Sequence, residues 1–219
     1  MNLIAFRRTS EPAPLAFAIG ARVDLRVGAL ATGVVKPREV HPDVFGFSNL
    51  ARLLRAARMT WRERGFYAPL TLAVPGHLYG SMEAELLSDA AVEAGCTRQK
   101  LSFELCERAL TTSGPALAEG LRARGWGVAL RGDPNCPLPF GVRARSLYTE
   151  VVLEAPEPTD PFLAIERGDG SPVGRRLLAA KAAGLVITAE SVRTASQARV
   201  LAIAGFDRGG GPFAEAGLR

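Results

Sequence analysis

Apolar positions recur at helical and strand periods in turn along most of the chain. Residues 48–61 place Leu50, Leu53, Leu54, Ala57 and Trp61 on one helix face, with Arg52, Arg55, Arg58 and Arg62 recurring along another. LTLAV at 70–74 reads as a short buried strand. A helix from about residue 81 follows, with Met82, Leu86, Leu87, Ala90, Ala91 and Ala94 inward and Gly95 placed to end it. LSFEL at 101–105 is the next strand. Pro115 suits the first turn of a helix that stops at Gly125, and GVAL at 127–130 is strand-like. EVVL at 150–153 is a strand, Ser171 and Pro172 open a helix ending at Gly184, and LVIT at 185–188 follows. Thr194 with Gln197 forms a capping box for a last helix that ends at Gly205.

Strands alternating with helices through short glycine-terminated loops predict parallel βαβ units. Seven or eight such units in one chain predict an α/β fold, a closed TIM-type (β/α) barrel rather than an open sheet. The expected organisation is a flexible tail over 1–14 and a single barrel domain over 15–219.

Composition narrows the function. Hydrophobic residues make up 47% and charged residues 22% of the 219, the balance of a packed globular protein. No apolar run approaches the ~20 residues of a membrane span, and the arginine- and proline-broken start is a poor signal peptide, so a cytoplasmic location is expected. Cys96, Cys106 and Cys136 show no CxxC spacing and are expected as reduced, buried thiols. The net charge of +5 raises nucleic acid as a partner, but no helix-turn-helix, zinc-finger or aromatic RNP pattern accompanies the arginines. Solvated helix faces are the simpler account of the charge.

In such a barrel the residues just after each strand carry the chemistry. Those positions hold Pro75, Glu104 with Glu107, Arg131 with Gly132 and Asp133, Glu154, Glu190, and glycines at 209–211. Two or three carboxylates are few for a metal site built from several oxygen ligands. His41 and His77 have no nucleophile pattern beside them, and the RGDGSP loop at 167–172 reads as a surface loop. Trp61 and Trp126 suit the core.

Four segments, in order, carry a resemblance. LSFELCERAL (101–110) is similar to L-x-L-E-I-T-E-S-x-L, and GLVITAESVRTASQARVLAIAGFD (184–207) to a segment built around V-A-E-G-V-E-T. VDLRVG (23–28) is similar to an entry turn VDLRTG, and GALATGVVKPREVHPD (28–43) to a signature strand followed by R-W-x-H-P. Together they resemble the EAL domain family, whose members hydrolyse cyclic di-GMP with divalent metals on a modified TIM barrel.

Carried over residue by residue, the resemblance implies a degenerate site. The signature glutamate falls on Val34, the metal-binding asparagine on Pro75, and the D-D-F-G segment on Arg131-Gly132-Asp133-Pro134. The catalytic lysine position aligns with Val152 and a late glutamine with Gly210, while the family's first-strand P-I becomes Ala21-Arg22. Glu104, Glu107 and Glu190 remain at family glutamates, and Arg38 at a phosphate-contacting arginine. Arg131 puts a permanent cation where metal charge belongs and is expected to pair with Glu104 or Glu190. The expectation is therefore a protein with no catalytic residues, no metal and no cofactor. It acts as a regulatory adaptor on an unidentified protein partner, one route being a homodimer. The alternative is a non-hydrolysing cyclic di-GMP receptor using Arg38, Glu104, Arg131 and Glu190; an active phosphodiesterase ranks third.

Overall fold

The structure, a computed structural model, describes residues 17–38, 47–76, 78–79, 82–132, 144–155 and 172–217. The expected tail, His41, His77, Asp133, Cys136 and residues 167–171 lie outside the described residues.

Eight strands close into one barrel in chain order: β1 (Phe17–Asp24), β2 (Leu30–Pro37), β3 (Leu70–Ala73), β4 (Leu101–Cys106), β5 (Gly127–Arg131), β6 (Glu150–Glu154), β7 (Val186–Glu190) and β8 (Arg208–Gly210). Described helices are α1 (Phe47–Glu63), α2 (Glu83–Glu93), α3 (Glu107–Ser113), α4 (Ala116–Ala123), α5 (Ala144–Leu147), α6 (Pro172–Ala182), α7 (Ala195–Ala204) and α8 (Pro212–Ala216).

The expected run of parallel units needs one correction. β1 is antiparallel to both of its neighbours, with Arg22 opposite Thr32 of β2 and Gly210 of β8. The cause is local. Asp24 accepts the backbone N–H groups of Arg26 (2.8 Å) and Val27 (3.0 Å), and Gly28 takes φ +71°. That is a tight turn, and a tight turn joins antiparallel strands. The same two N–H groups hold the Asp24 carboxyl below its ordinary pKa.

Alternation along the strands separates two interiors. Phe103 and Leu105 of β4, Val128 and Leu130 of β5, Val151 and Leu153 of β6, and Ile187 of β7 face outward and join the helices in one apolar core. Leu50, Leu53, Leu54, Ala57 and Trp61 of α1 lie in that core as their spacing predicts, and Trp126 meets Phe103 edge-on at 5.6 Å. Met82 departs from expectation: it precedes α2 and is 76% exposed. Cys96 and Cys106 are only partly buried. The Thr194 hydroxyl caps α7 by accepting the Gln197 N–H at 3.1 Å; the Gln197 side chain, however, reaches back to the N–H of Arg193.

The barrel lumen is polar. Thr32, Thr71 and Ser102 form a hydroxyl chain across β2, β3 and β4, at 3.3 and 2.9 Å. Farther round stand Glu104, Glu150, Thr188, Glu190 and a wholly buried Arg22, where barrels of this type usually stack branched apolar side chains.

Arg98, Arg145 and Lys181 are exposed, as solvated faces predict, yet they and several neighbouring cations also bond to the protein. At the end where the parallel strands begin, helix C-termini are capped from the preceding unit. Arg58 of α1 donates to the Gly95 carbonyl after α2, and Arg98 to that of Arg124 after α4 (2.6 Å). Arg122 reaches Ser146 in α5 (3.3 Å), Arg145 reaches Ala183 after α6 (2.7 Å), and Lys181 reaches Ala204 in α7 (2.7 Å). Helix C-termini leave carbonyls unpaired and carry partial negative charge, so a cation satisfies both. Residues scattered in sequence form an ordered series in space.

Candidate functional site

β1 runs through the barrel wall with Ala18, Gly20 and Arg22 on its lumen-facing side, and Arg22 is the long one. Its guanidinium donates through Nε to Glu190 at 2.6 Å and through Nη2 to Glu104. Nη1 lies 3.5 Å from Glu150. One cation thus joins carboxylates from β4, β6 and β7.

Further cations complete the cluster. Arg131 of β5 donates through Nε to the other Glu104 oxygen at 2.6 Å and lies 3.9 Å from Glu190. Lys36 of β2 stands 3.7 Å from the second Glu190 oxygen. Arg208 of β8 bonds one Glu150 oxygen at 2.9 Å, and the Thr188 hydroxyl donates to the other at 2.5 Å. Every oxygen of Glu104, Glu150 and Glu190 therefore faces a cation or a hydroxyl donor. Burial opposes charge on Glu104, but the Arg22 and Arg131 guanidiniums outweigh it and hold its pKa below the ordinary value. Burial likewise opposes charge on Arg22, and Glu104, Glu190 and Glu150 outweigh it, holding the guanidinium more firmly protonated than usual.

A second ion pair lies beside the first. Glu107, fully buried at the start of α3, accepts a two-pronged fork from Arg176 of α6 at 2.6 and 3.1 Å. Neighbouring Tyr148 has its phenol pushed up to about 12, by burial first and then by Glu107 and Glu119. Tyr79, also buried, accepts the Cys106 N–H through its hydroxyl.

Two glycines make room for these arginines. A Cβ on Gly210 would sit 3.1 Å from Glu190 Oε1 and 3.2 Å from Arg22 Cγ. On Gly132 it would sit 2.8 Å from Arg176 Nη1 and 3.0 Å from Leu153 Cδ2. Gly132 and Gly210, two of the positions that the resemblance marks as altered, are thus the spaces that Arg176 and Arg22 pass.

Of the residues expected to form a site, the structure brings Glu104, Arg131 and Glu190 together, and Arg131 does pair with Glu104. Val34 and Val152 are buried in the barrel wall, and Pro75 is buried just after β3. Arg38 is exposed beyond the end of β2 and lines a groove of about 650 Å³ with Ile19, Ala21, Trp61 and Phe66. Arg22, Glu150, Arg176 and Arg208 are central to these clusters, and sequence reading missed the role of each. The signal for Arg22 was a cation on the lumen side of a strand otherwise carrying alanine and glycine there.

The donor set does not fit a divalent cation. Such an ion takes carboxylate oxygens that face open space or water, and here those oxygens face guanidinium groups. Among the described residues no group of three or more His, Cys, Asp or Glu is arranged to hold a metal. No described helix is long and apolar enough to cross a membrane.

No protein-family model matches the chain, and neither does any curated protein. Solved structures do. The PaMucR phosphodiesterase in complex with c-di-GMP aligns with TM-score 0.68 and 14% identity over 90% of this chain and 93% of its own. The EAL domain of Mycobacterium smegmatis DcpA aligns with TM-score 0.66 and 23% identity over 90% of each chain. The EAL enzyme Bd1971, bound to cAMP and cyclic-di-GMP, aligns with TM-score 0.63 and 14% identity. This chain covers 61% of that one. The fold is the closed eight-stranded barrel of EAL domains.

Proposed function

We propose that this chain is a non-hydrolysing EAL-like domain that acts as a cytoplasmic regulatory or adaptor protein, through protein contacts, in cyclic di-GMP-related signalling. The observation that carries the reading is Arg22 held among Glu104, Glu150 and Glu190, with Arg131 against Glu104. Phosphodiester hydrolysis at neutral pH calls for metal ions that generate a hydroxide and clamp the attacking and leaving oxygens. Guanidiniums neutralise the same carboxylates permanently and neither deprotonate water nor exchange for a metal. With Val34, Pro75 and Val152 at the positions the resemblance assigns to metal ligands and the catalytic lysine, the chain has structural charge where an EAL enzyme has reactive charge.

A second reading, a cyclic di-GMP receptor without hydrolysis, is favoured by one feature. The Lys36 and Arg131 side chains are 46% and 34% exposed, cations within reach of a phosphate. Calorimetry with cyclic di-GMP, with and without Mg²⁺, separates the readings. No heat in either condition supports the adaptor. Micromolar binding independent of Mg²⁺ and weakened by Lys36→Ala supports the receptor. Mg²⁺-dependent release of linear pGpG overturns both.

A further inference from the structure

We propose that the barrel end where the parallel strands begin is a docking face for an anionic lipid surface. The topology gathers basic side chains there from every quarter. The cationic caps of α2, α4, α5, α6 and α7 stand around this rim. Each donates to a neutral carbonyl, so each keeps its full positive charge. Arg26 in the β1–β2 turn, Arg62 and Arg64 at the end of α1, and Lys100 before β4 add exposed cations in one sector. The carboxylates at this end are fewer. Glu63 is exposed between Arg62 and Arg64, Glu93 is paired with Arg55, Asp207 lies 3.6 Å from Arg26, and Asp24 accepts the turn amides.

Two apolar side chains project from the same sector. Val27 in the β1–β2 turn and Tyr67 in the loop leading to β3 are each 74% exposed. Strands β1, β2 and β3 are neighbours, so the two loops adjoin. Lys100 Nζ donates to the Tyr67 carbonyl at 3.2 Å, fixing a cation beside the ring-bearing residue. Apolar and aromatic side chains standing out from a basic surface suit the headgroup boundary of a negatively charged bilayer. Nucleic acid is the weaker match, because the cations encircle one end of the barrel rather than line a groove or stripe.

Co-sedimentation with phosphatidylcholine vesicles, with and without phosphatidylglycerol, tests the proposal. The chain is expected to sediment only with phosphatidylglycerol vesicles and to be released by high salt. Neutralising Arg62 and Arg64 (Arg62→Gln/Arg64→Gln) is expected to lower partitioning about fivefold for each charge removed. The charge-matched control Arg52→Gln/Arg199→Gln, away from this end, is expected to leave it unchanged. Val27→Ser/Tyr67→Ser is expected to weaken binding while the salt dependence stays. Circular dichroism verifies that each variant is folded. Absence of vesicle binding, equal losses in the two charge pairs, or binding of a DNA duplex without vesicle binding would each overturn the proposal.

Discussion

The lumen and the rim of the barrel use arginine in opposite ways. In the lumen, Arg22 has no solvent exposure and is held by three carboxylates; at the rim where the parallel strands begin, Arg98 and Arg145 are exposed and each donates to a helix carbonyl. The first is a charge that its surroundings must keep neutralised. The second is a charge that water already solvates, adding a modest cap to a helix dipole. A buried ion group is costly to break one member at a time, because the survivors are left charged and unpaired, whereas an exposed pair loses little. Similar chemistry therefore predicts a steep gradient of mutational effect from the lumen to the rim.

The largest effect belongs to Arg22→Met, which leaves Glu104, Glu150 and Glu190 sharing Arg131, Lys36 and Arg208. A loss of about 3–5 kcal/mol is expected by urea denaturation. Arg22→Lys, which keeps a charge and loses the fork, should recover part of it. A loss under about 1 kcal/mol for Arg22→Met would mean the cluster is not a structural centre. Next comes Arg176→Ala, which removes the guanidinium fork from the buried Glu107 carboxylate; about 3 kcal/mol is expected.

Acid comes third. Glu104 has a folded pKa below its ordinary 4.5, so its contribution to stability is complete above that value. It is lost as pH falls through the depressed folded value. Denaturant midpoints should drop through that acid range, and Glu104→Gln should flatten the drop while lowering stability at neutral pH. Gly210→Ala is smaller, about 1–2 kcal/mol, because its methyl meets Glu190 and Arg22 at the tight distances given above. A crystal structure of that variant should show the Arg22 fork displaced. The smallest effect is Arg145→Ala, about 0.5 kcal/mol, measured by the same denaturation and shrinking in high salt.

Much of the wall of this barrel was legible because its cause is local. The i, i+3, i+4 stripe of α1, the hydroxyl of Thr194 and Gly205 at the end of α7 (φ +98°) each follow from residues within a few positions of one another. The antiparallel direction of β1 escaped because it is set by the Asp24 turn, and the parallel rhythm of the remaining strands masked it. The Glu107–Arg176 fork escaped for a different reason. Arg176 sits in a helix among other basic and small residues, and only the approach of α6 to the start of α3, past Gly132, makes it a buried partner.

The order of strands and helices, their caps and their apolar faces were determined by the sequence itself, through periodicities of two and 3.6 that act over short range. Which charges belong together was decided only by closure of the barrel. Arg22 stands 82 residues from Glu104, 128 from Glu150 and 168 from Glu190. No local pattern links an arginine to carboxylates that far along the chain. Electrostatic pairing is a matter of distance in space, and that distance exists only once β1 has turned back between β2 and β8.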